Sequence, residues 1–220
     1  MPSEKALSSD NQQGTSLLSE DSSETTSQTP FHCSISYLQG AIHDATLHKN
    51  TVRISQKNVQ WLKKLQHLLK ALGHKSWIYK EGKLRNVFVL ETVKRFFDFE
   101  LDPKSLKCEG CMVAYVRGFF DAEGGVPHSI HAPLYIQLSQ KDEGKIKAIK
   151  SILERKGIMS GKVHNPSVRI DPDYWRIFIS RDSLRTFISK IGSWHPAKQK
   201  IFSDRMKIWS MPSGDRGVKT

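Results

Sequence analysis

The chain has 220 residues, a formal net charge of +12 and three cysteines. Residues 1–30 hold one lysine against five acidic residues, a net charge of −4, so the remaining chain carries +16. The odd, low cysteine count argues against a disulfide framework, no apolar run approaches the length of a membrane span, and the basic excess indicates a polyanionic partner, usually nucleic acid.

The first thirty residues form an acidic tail rich in Ser and Thr. Such a composition cannot bury enough apolar surface to offset chain entropy, so we predict that residues 1–30 are disordered. The tail lacks the basic and apolar regions of a signal peptide and the arginines of a transit peptide. We therefore expect an intracellular protein, cytoplasmic or nucleoid-associated, with no membrane association.

The remaining sequence repeats itself, which predicts two related units at residues 31–106 and 107–220. The segments 36–40 and 114–118 resemble each other, and so do 52–57 and 136–141. Each repeat continues with an amphipathic helix that ends at a glycine, two β segments and a short final helix. The predicted ranges are 58–72, 76–80, 85–90 and 93–97 in the first repeat, and 143–156, 162–164, 174–180 and 183–191 in the second.

Apolar and polar residues alternate along the strands that precede these helices. Val52 and Ile54 alternate with polar neighbours, as do Ile136 and Leu138. One face of each sheet should therefore pack on helices and the other face solvent or a ligand, and a polar two-stranded ribbon fits the major groove of DNA. Arg85 and Arg176 are expected in the matching last strands. The residues predicted to contact DNA are Lys49, Arg53, Arg85, Gln137, Lys162 and Arg176.

Cys108 and Cys111 have the spacing of half a zinc site. A structural zinc normally needs four ligands, and the chain has no second pair with this spacing. We therefore interpret this segment as a linker with two incidental thiols.

The most specific string runs from Tyr115 to Gly124: an apolar helical turn that ends in carboxylates and a glycine. Gly118 would let a facing helix approach closely, and Gly124 is a natural helix stop. Glu123 would project from the helix C-terminus, where the helix dipole disfavours a negative charge. A bound divalent cation shared with a second carboxylate would explain this position.

Residues 116–124 and 38–46 resemble the two motifs of the LAGLIDADG homing endonuclease family, and the resemblance extends over about residues 36–209. It implies an α+β fold of two pseudo-symmetric αββαββα repeats, with the motif helices packed at Gly40 and Gly118. It also implies saddle-shaped antiparallel sheets that grip double-stranded DNA, Mg²⁺ or Mn²⁺ as cofactor, and a monomer, since one chain carries both motifs.

The resemblance also implies roles for individual residues. Glu123 matches the metal-binding acid of the second motif. The equivalent position in the first motif is Ala45, and Asp44 would take the role only if the first helix ended one residue sooner. Gln56 and Gln140 match the active-site glutamines, and Lys198 matches the lysine of the catalytic pocket.

Two functions remain open at this point. The intact end of the second motif favours a site-specific, magnesium-dependent endonuclease. Ala45 favours a protein that keeps the grip without cutting, as a DNA-binding regulator or as a maturase that binds intron RNA. A defect in one repeat alone would leave a nicking enzyme.

Overall fold

A computed structural model of the protein describes residues 31–82 and 84–210. The predicted disordered tail at 1–30 and the end of the second predicted unit at 211–220 lie outside these residues. Among the described helices, none has the length and apolar character needed to cross a membrane.

The first repeat consists of two helices and a four-stranded sheet. Its strands follow the order β1-β2-β4-β3, and neighbouring strands are antiparallel. The elements are α1 (Phe31–Ala41), a 3₁₀ turn (Ile42–Asp44), β1 (Ala45–His48), β2 (Thr51–Gln56), α2 (Val59–Ala71), β3 (Ser76–Lys80) and β4 (Phe88–Val93).

Two 3₁₀ turns, Lys94–Phe96 and Pro103–Ser105, lead into the second repeat, whose sheet has the order β5-β6-β7 and is again antiparallel. Its elements are α3 (Glu109–Glu123), β5 (Gly124–Gly125), β6 (Gln137–Gln140), α4 (Glu143–Arg155), β7 (Trp175–Phe178), a 3₁₀ turn (Arg181–Ser183), α5 (Leu184–Lys190) and α6 (Pro196–Ser210).

The helices that follow the first strands, α2 and α4, begin and end in the same way. The side chain of Asn58 accepts hydrogen bonds from two main-chain N–H groups of α2, and Asp142 does so for one N–H of α4. Both helices are followed by a glycine with positive φ, Gly73 at 79° and Gly157 at 73°. A residue with a side chain rarely adopts this conformation, so the two stops predicted at glycine are confirmed.

Each repeat has its own hydrophobic core between its helices and one face of its sheet. Val52, Ile54, Ile136 and Leu138 are all buried, as the alternation predicted. The cores meet along α1 and α3, where residues of α3 such as Cys111 and Ala114 belong to the core of the first repeat. The prediction of an α+β fold is confirmed.

Three element predictions need correction. Arg85 does not lie in a strand: Glu81 N–H donates to the Val87 carbonyl at 2.8 Å and closes the hairpin, so β4 begins only at Phe88. Residues 162–164 form no strand but one isolated bridge from His164 to Arg176, because the loop after Asn165 turns back on that side chain, which donates to the Asp171 carbonyl. The helix predicted at 93–97 is a single 3₁₀ turn.

Candidate active site and nucleic-acid interface

The motif helices α1 and α3 touch through main-chain atoms at two glycines. A Cβ atom on Gly118 would lie 2.0 Å from the carbonyl oxygen of Tyr37, and one on Gly40 would lie 2.1 Å from that of Tyr115. No real Cβ atom tolerates such distances, so glycine is required at both positions. This close approach brings the C-terminal ends of the two helices together at one place.

Two tyrosines at equivalent positions bridge the helix pair in opposite directions. Tyr37 on α1 donates its hydroxyl to Oδ2 of Asp121 on α3 at 2.6 Å. Tyr115, at the equivalent position of α3, hydrogen-bonds through its hydroxyl to Nε2 of His43 at 2.7 Å. His43 therefore occupies the place in the first repeat that Asp121 has in the second.

His43 is held by a second bond that fixes its tautomer. The amide nitrogen of Gln140 lies 3.2 Å from Nδ1, and because an amide nitrogen can only donate, Nδ1 accepts and Nε2 carries the proton that goes to Tyr115. Burial lowers the pKa of His43 to about 4, and the positive charge of Lys145 contributes to this lowering. The ring is therefore neutral at physiological pH.

Asp121 is a buried carboxylate on which three donors converge. Besides Tyr37, it accepts from the Ser193 hydroxyl and, at 2.8 Å, from the main-chain N–H of Trp194. Burial raises the pKa of Asp121 above its ordinary value, and these hydrogen bonds offset only part of that rise. The carboxylate thus ties the segment before α6 to both motif helices, which is a structural role.

The sheet register identifies the residue of the first repeat that corresponds to Glu123. Ala45 pairs with Ile54 in the first sheet, and Gly124 pairs with Leu138 in the second. Ile54 and Leu138 are equivalent, because they are separated by the same interval along the chain as Gln56 and Gln140. The residues just before the paired positions are Asp44 and Glu123, so Asp44 has the register position of Glu123.

A local change of helix type explains this one-residue offset. The first repeat ends its motif helix with the 3₁₀ turn Ile42–Asp44, whereas α3 remains α-helical to Glu123. Three residues of 3₁₀ helix rise about 6 Å, the same as four residues of α-helix. The shorter first repeat therefore reaches its sheet at the same height along the helix pair.

Glu123 is the last residue of α3 and is half-buried. Ser139 donates its hydroxyl to the Glu123 carbonyl oxygen at 3.3 Å, which joins the helix end to β6. Gly124 does not end the helix through positive φ: its φ is −85°, and a Cβ atom there would lie 2.1 Å from the ring of Phe120. Space, rather than backbone freedom, requires glycine at this position.

Lys198 and the two glutamines also lie near the helix ends. The ammonium group of Lys198 on α6 donates hydrogen bonds to the carbonyl oxygens of Phe120 at 2.5 Å and Asp121 at 3.0 Å. It thereby places a positive charge at the C-terminal end of α3, where the helix dipole favours one. Gln140 contacts His43, as described, and Gln56 is the last residue of β2, paired with Phe88.

Three of the predicted DNA-contacting residues share the sheet faces that point away from the cores. Arg53, Gln137 and Arg176 each neighbour a buried residue in their strand, so their side chains alternate to the opposite face. Arg53 donates to the Tyr79 hydroxyl at 2.8 Å and lies 3.8 Å from a carboxylate oxygen of Glu91.

Arg176 also has partners on its own sheet face, and the remaining predicted contacts lie outside the strands. Arg176 bonds the Tyr174 hydroxyl at 3.1 Å and stacks over two aromatic rings. Lys49, with φ of 50°, forms the tip of the β1–β2 hairpin. Lys162 is exposed ahead of the isolated bridge, and Arg85 is exposed in the β3–β4 loop.

The sequence reasoning missed the two tyrosine bridges. Their signal is present in the sequence, because the interval from Tyr37 to Tyr115 equals that from His43 to Asp121 and that between the two packing glycines. An offset shared by three such pairs marks side chains that exchange contacts across a pseudo-twofold axis.

Comparison with known proteins agrees with this architecture. Residues 110–192 match the family described as LAGLIDADG-like domain, so the second repeat carries that domain and the resemblance to the LAGLIDADG family is confirmed. Homing endonuclease I-ApeI of Aeropyrum pernix is 35% identical over 93 residues, which cover 42% of this chain and 40% of that protein. The matched region thus spans well under half of that curated relative.

Solved structures share the fold. I-DmoI in complex with DNA and Ca superposes with a TM-score of 0.61 at 18% identity, over 79% of this chain and 98% of that one. The N-terminal LAGLIDADG domain of DUF199/WhiA gives a TM-score of 0.59 at 17% identity, over 75% and 85%. At these identities the likeness establishes the LAGLIDADG fold alone.

Proposed function

We propose that the protein is a site-specific endonuclease of the homing type that hydrolyses phosphodiesters of double-stranded DNA with a divalent metal ion. The observation that carries this proposal is the sheet register, which gives Asp44 the position of Glu123. Two acids at the adjoining ends of paired helices supply one carboxylate for each strand of a duplex. Because both motif helices lie on one chain, we propose that a monomer acts.

The donor set suits the metal. Carboxylate oxygens are the ligands that Mg²⁺ and Mn²⁺ prefer, and a cation offsets the cost of a carboxylate at the C-terminus of α3. Asp44 and Glu123 would hold the ions. A bound divalent ion supplies charge stabilisation at the phosphate and lowers the pKa of coordinated water.

The chain's own residues bind the duplex and prepare its phosphates. Lys198 holds a positive charge within one turn of Glu123, where it opposes the charge that develops on a phosphate under attack. His43 keeps the Gln140 amide in place without adding a charge, because it is neutral. Arg53 and Arg176 provide guanidinium groups on the outer sheet faces for phosphates and base edges.

A second function, specific binding without cutting, is favoured by one observation. Both ends of the Gln140 amide are engaged within the protein: its nitrogen with His43, and its oxygen with the main-chain N–H of Lys141 at 2.6 Å. A glutamine so occupied orients water less readily than one that faces the duplex. In this case the protein would be a DNA-binding regulator or a maturase that binds intron RNA.

The deciding experiment selects bound sequences from a random pool of duplex DNA and then incubates them with the protein and Mg²⁺ or Mn²⁺. We expect a double-strand cut. Glu123→Gln and Asp44→Asn should each slow the cutting of one strand by at least about a hundredfold and leave nicked product, because each removes one metal-binding carboxylate. The exposed Glu154→Gln on α4 is the matched control and should cut normally.

Tight, specific binding with intact DNA in both metals would overturn the enzyme proposal and leave the binding function. A parallel measurement with structured RNA would then separate the regulator from the maturase. A cut of one strand only in the unmodified protein, abolished by Glu123→Gln and indifferent to Asp44→Asn, would identify a nicking enzyme.

A further inference from the structure

Four potential metal ligands meet at the beginning of the two motif helices. The ligand atoms of His32, Cys33, Cys108 and Cys111 all lie within 4.8 Å of one another. The Sγ atoms of Cys33 and Cys111 are 3.9 Å apart, and Sγ of Cys108 lies 3.4 Å from Nε2 of His32. Three thiols and an imidazole are one of the established ligand sets for structural zinc.

The two shortest of these separations are those of a tetrahedral site. With zinc–sulfur bonds of about 2.3 Å and zinc–nitrogen bonds of about 2.0 Å, tetrahedral angles place two sulfurs about 3.8 Å apart and a sulfur and a nitrogen about 3.5 Å apart. The two distances above match these edges closely. The other four separations are no longer than 4.8 Å, so binding a metal would draw the ligand atoms together by roughly 1 Å.

The pseudo-symmetry of the fold explains how the cluster forms. Cys33 and Cys111 are separated by the same interval along the chain as Gly40 and Gly118, so each cysteine lies two helical turns before the glycine at which its helix touches the other. The pairing that brings the glycines into contact thus also brings these two buried thiols together. His32 and Cys108 then add one ligand from each repeat.

Local structure around Cys108 fixes the position of its sulfur and leaves room for the metal. Cys108 is the N-cap of α3, and the main-chain N–H of Cys111 donates to its sulfur at 3.4 Å. Gly110 lies between Cys108 and Cys111 in the sequence. A Cβ atom at this position would lie 3.0 Å from Sγ of Cys33, so glycine keeps the space beside the thiols open.

We propose that His32, Cys33, Cys108 and Cys111 bind one structural zinc ion that clamps the two repeats together at the start of the motif helices. Four protein ligands close the coordination sphere, which is typical of a structural site and leaves no position for substrate. Cys111 and Glu123 are twelve residues apart on α3, about 18 Å along the helix, so the zinc is distinct from the ions proposed at the helix ends.

The clamp has a clear mechanical consequence. The glycine contact acts as a pivot between α1 and α3, and a metal on one side of it fixes how far the helices separate on the other side, where Asp44 and Glu123 lie. The interpretation of Cys108 and Cys111 as incidental thiols in a linker is thereby replaced, since both belong to the start of α3 and their missing partners come from α1.

The test is elemental analysis of the full chain, purified without chelators and freed of loosely bound ions by gel filtration. We expect about one zinc per chain. His32→Ala and Cys108→Ser should each reduce this content severalfold, and the matched control His67→Ala, an exposed histidine on α2, should leave it unchanged. Magnesium at carboxylates would not survive the filtration, so the result does not depend on whether the protein cuts DNA.

Cobalt provides a readout that does not depend on any variant folding. The zinc-depleted protein, titrated with Co²⁺, should develop the visible d–d bands of a tetrahedral site and a thiolate-to-cobalt charge-transfer band, both saturating at one equivalent and bleached by Zn²⁺. Absence of zinc together with a cobalt spectrum typical of oxygen ligands would overturn the proposal. So would a Cys33–Cys111 disulfide seen by mass spectrometry in protein purified under reducing conditions.

Discussion

At the scale of single residues, the two tyrosine bridges carry different charges. Tyr37 bonds a carboxylate, Asp121, and also accepts from the indole N–H of Trp61 at 2.9 Å. Tyr115 bonds a neutral imidazole, His43. Equivalent positions in the repeats therefore keep their geometry while only one of them carries a negative charge, so the interactions on the two sides should differ in strength.

Removing the two hydroxyls should show this difference. Tyr37→Phe leaves a buried carboxylate and an indole N–H each short of a partner, which should cost about 2–3 kcal/mol of unfolding free energy. Tyr115→Phe removes one neutral hydrogen bond and should cost about 1 kcal/mol. Urea unfolding at neutral pH measures both, and equal losses would contradict the assignment of a charged partner to Tyr37 alone.

Protonation of His43 should make the protein less stable in acid. The pKa is about 4 in the folded state against an ordinary value of 6.5, so the unfolded chain binds the proton more readily. The stabilisation is present above pH 6.5 and is lost as the pH falls toward 4, with a slope of at most about 1.4 kcal/mol per pH unit for one group.

The measurement is the free energy of unfolding in urea between pH 7 and about 4.5. His43→Gln should flatten the pH dependence, although not abolish it, because burial also lowers the pKa of His195 to about 4. His67→Gln on the exposed face of α2 is the control and should keep the full slope. An unchanged slope in His43→Gln would show that this ring is not the titrating group.

At the scale of elements, the contact of α1 with α3 tolerates no added atom. Gly118→Ala would place a Cβ atom 2.0 Å from the Tyr37 carbonyl oxygen, which is main chain and cannot rotate away. The helices would have to separate, at a cost of roughly 3 kcal/mol or more. Gly161→Ala is the control, since its nearest neighbour would be 3.8 Å away. Thermal unfolding of the two variants should differ by several degrees, and similar midpoints would refute this packing.

The elements that could be predicted are those determined by residues close together in the sequence. Helices α2 and α4 carry local signals, an apolar face and a glycine stop, and both were predicted to within a residue or two. The prediction of a strand at 162–164 was wrong because it used only the local side-chain pattern. The loop that ends the pairing there depends on a contact along the chain, in which Asn165 donates to the Asp171 carbonyl. The choice between Asp44 and Ala45 as the equivalent of Glu123 was ambiguous for a similar reason. A 3₁₀ turn spans the same length with one residue fewer, and nothing in the sequence marks it.

The candidate sites also divide into those set by local sequence and those formed by distant segments. The position of Glu123 at the end of its helix could be predicted because its motif is contiguous, and the outward orientation of Arg53 and Gln137 because strand parity is local. The cluster of His32, Cys33, Cys108 and Cys111 could not, since its two halves lie far apart in the sequence and meet only when the motif helices pair. Sequence spacing alone shows half a zinc site there, and the fold supplies the other half.

At the scale of the whole molecule, the net charge of +12 should make binding to DNA strongly dependent on salt. Each phosphate contact that is lost should reduce the slope of log K against log salt concentration by about 0.9. The exposed Lys49 and Lys162 are expected to contact only the backbone. Lys49→Ala and Lys162→Ala should therefore weaken the selected sequence and an unrelated duplex by similar factors.

Arg53 and Gln137 should behave differently, because they occupy equivalent positions on the two outer sheet faces, separated by the same interval as Gln56 and Gln140. Arginine and glutamine can each form two hydrogen bonds with a base edge in the major groove, worth about 1–3 kcal/mol of discrimination per pair. The double variant Arg53→Ala/Gln137→Ala should lose at least about tenfold in affinity for the selected sequence beyond its loss on an unrelated duplex. Fluorescence anisotropy titrations at several salt concentrations separate the two effects. An equal loss on both duplexes, accompanied by a lower salt slope, would restrict these residues to phosphate binding and require that the sequence be read from another part of the sheets.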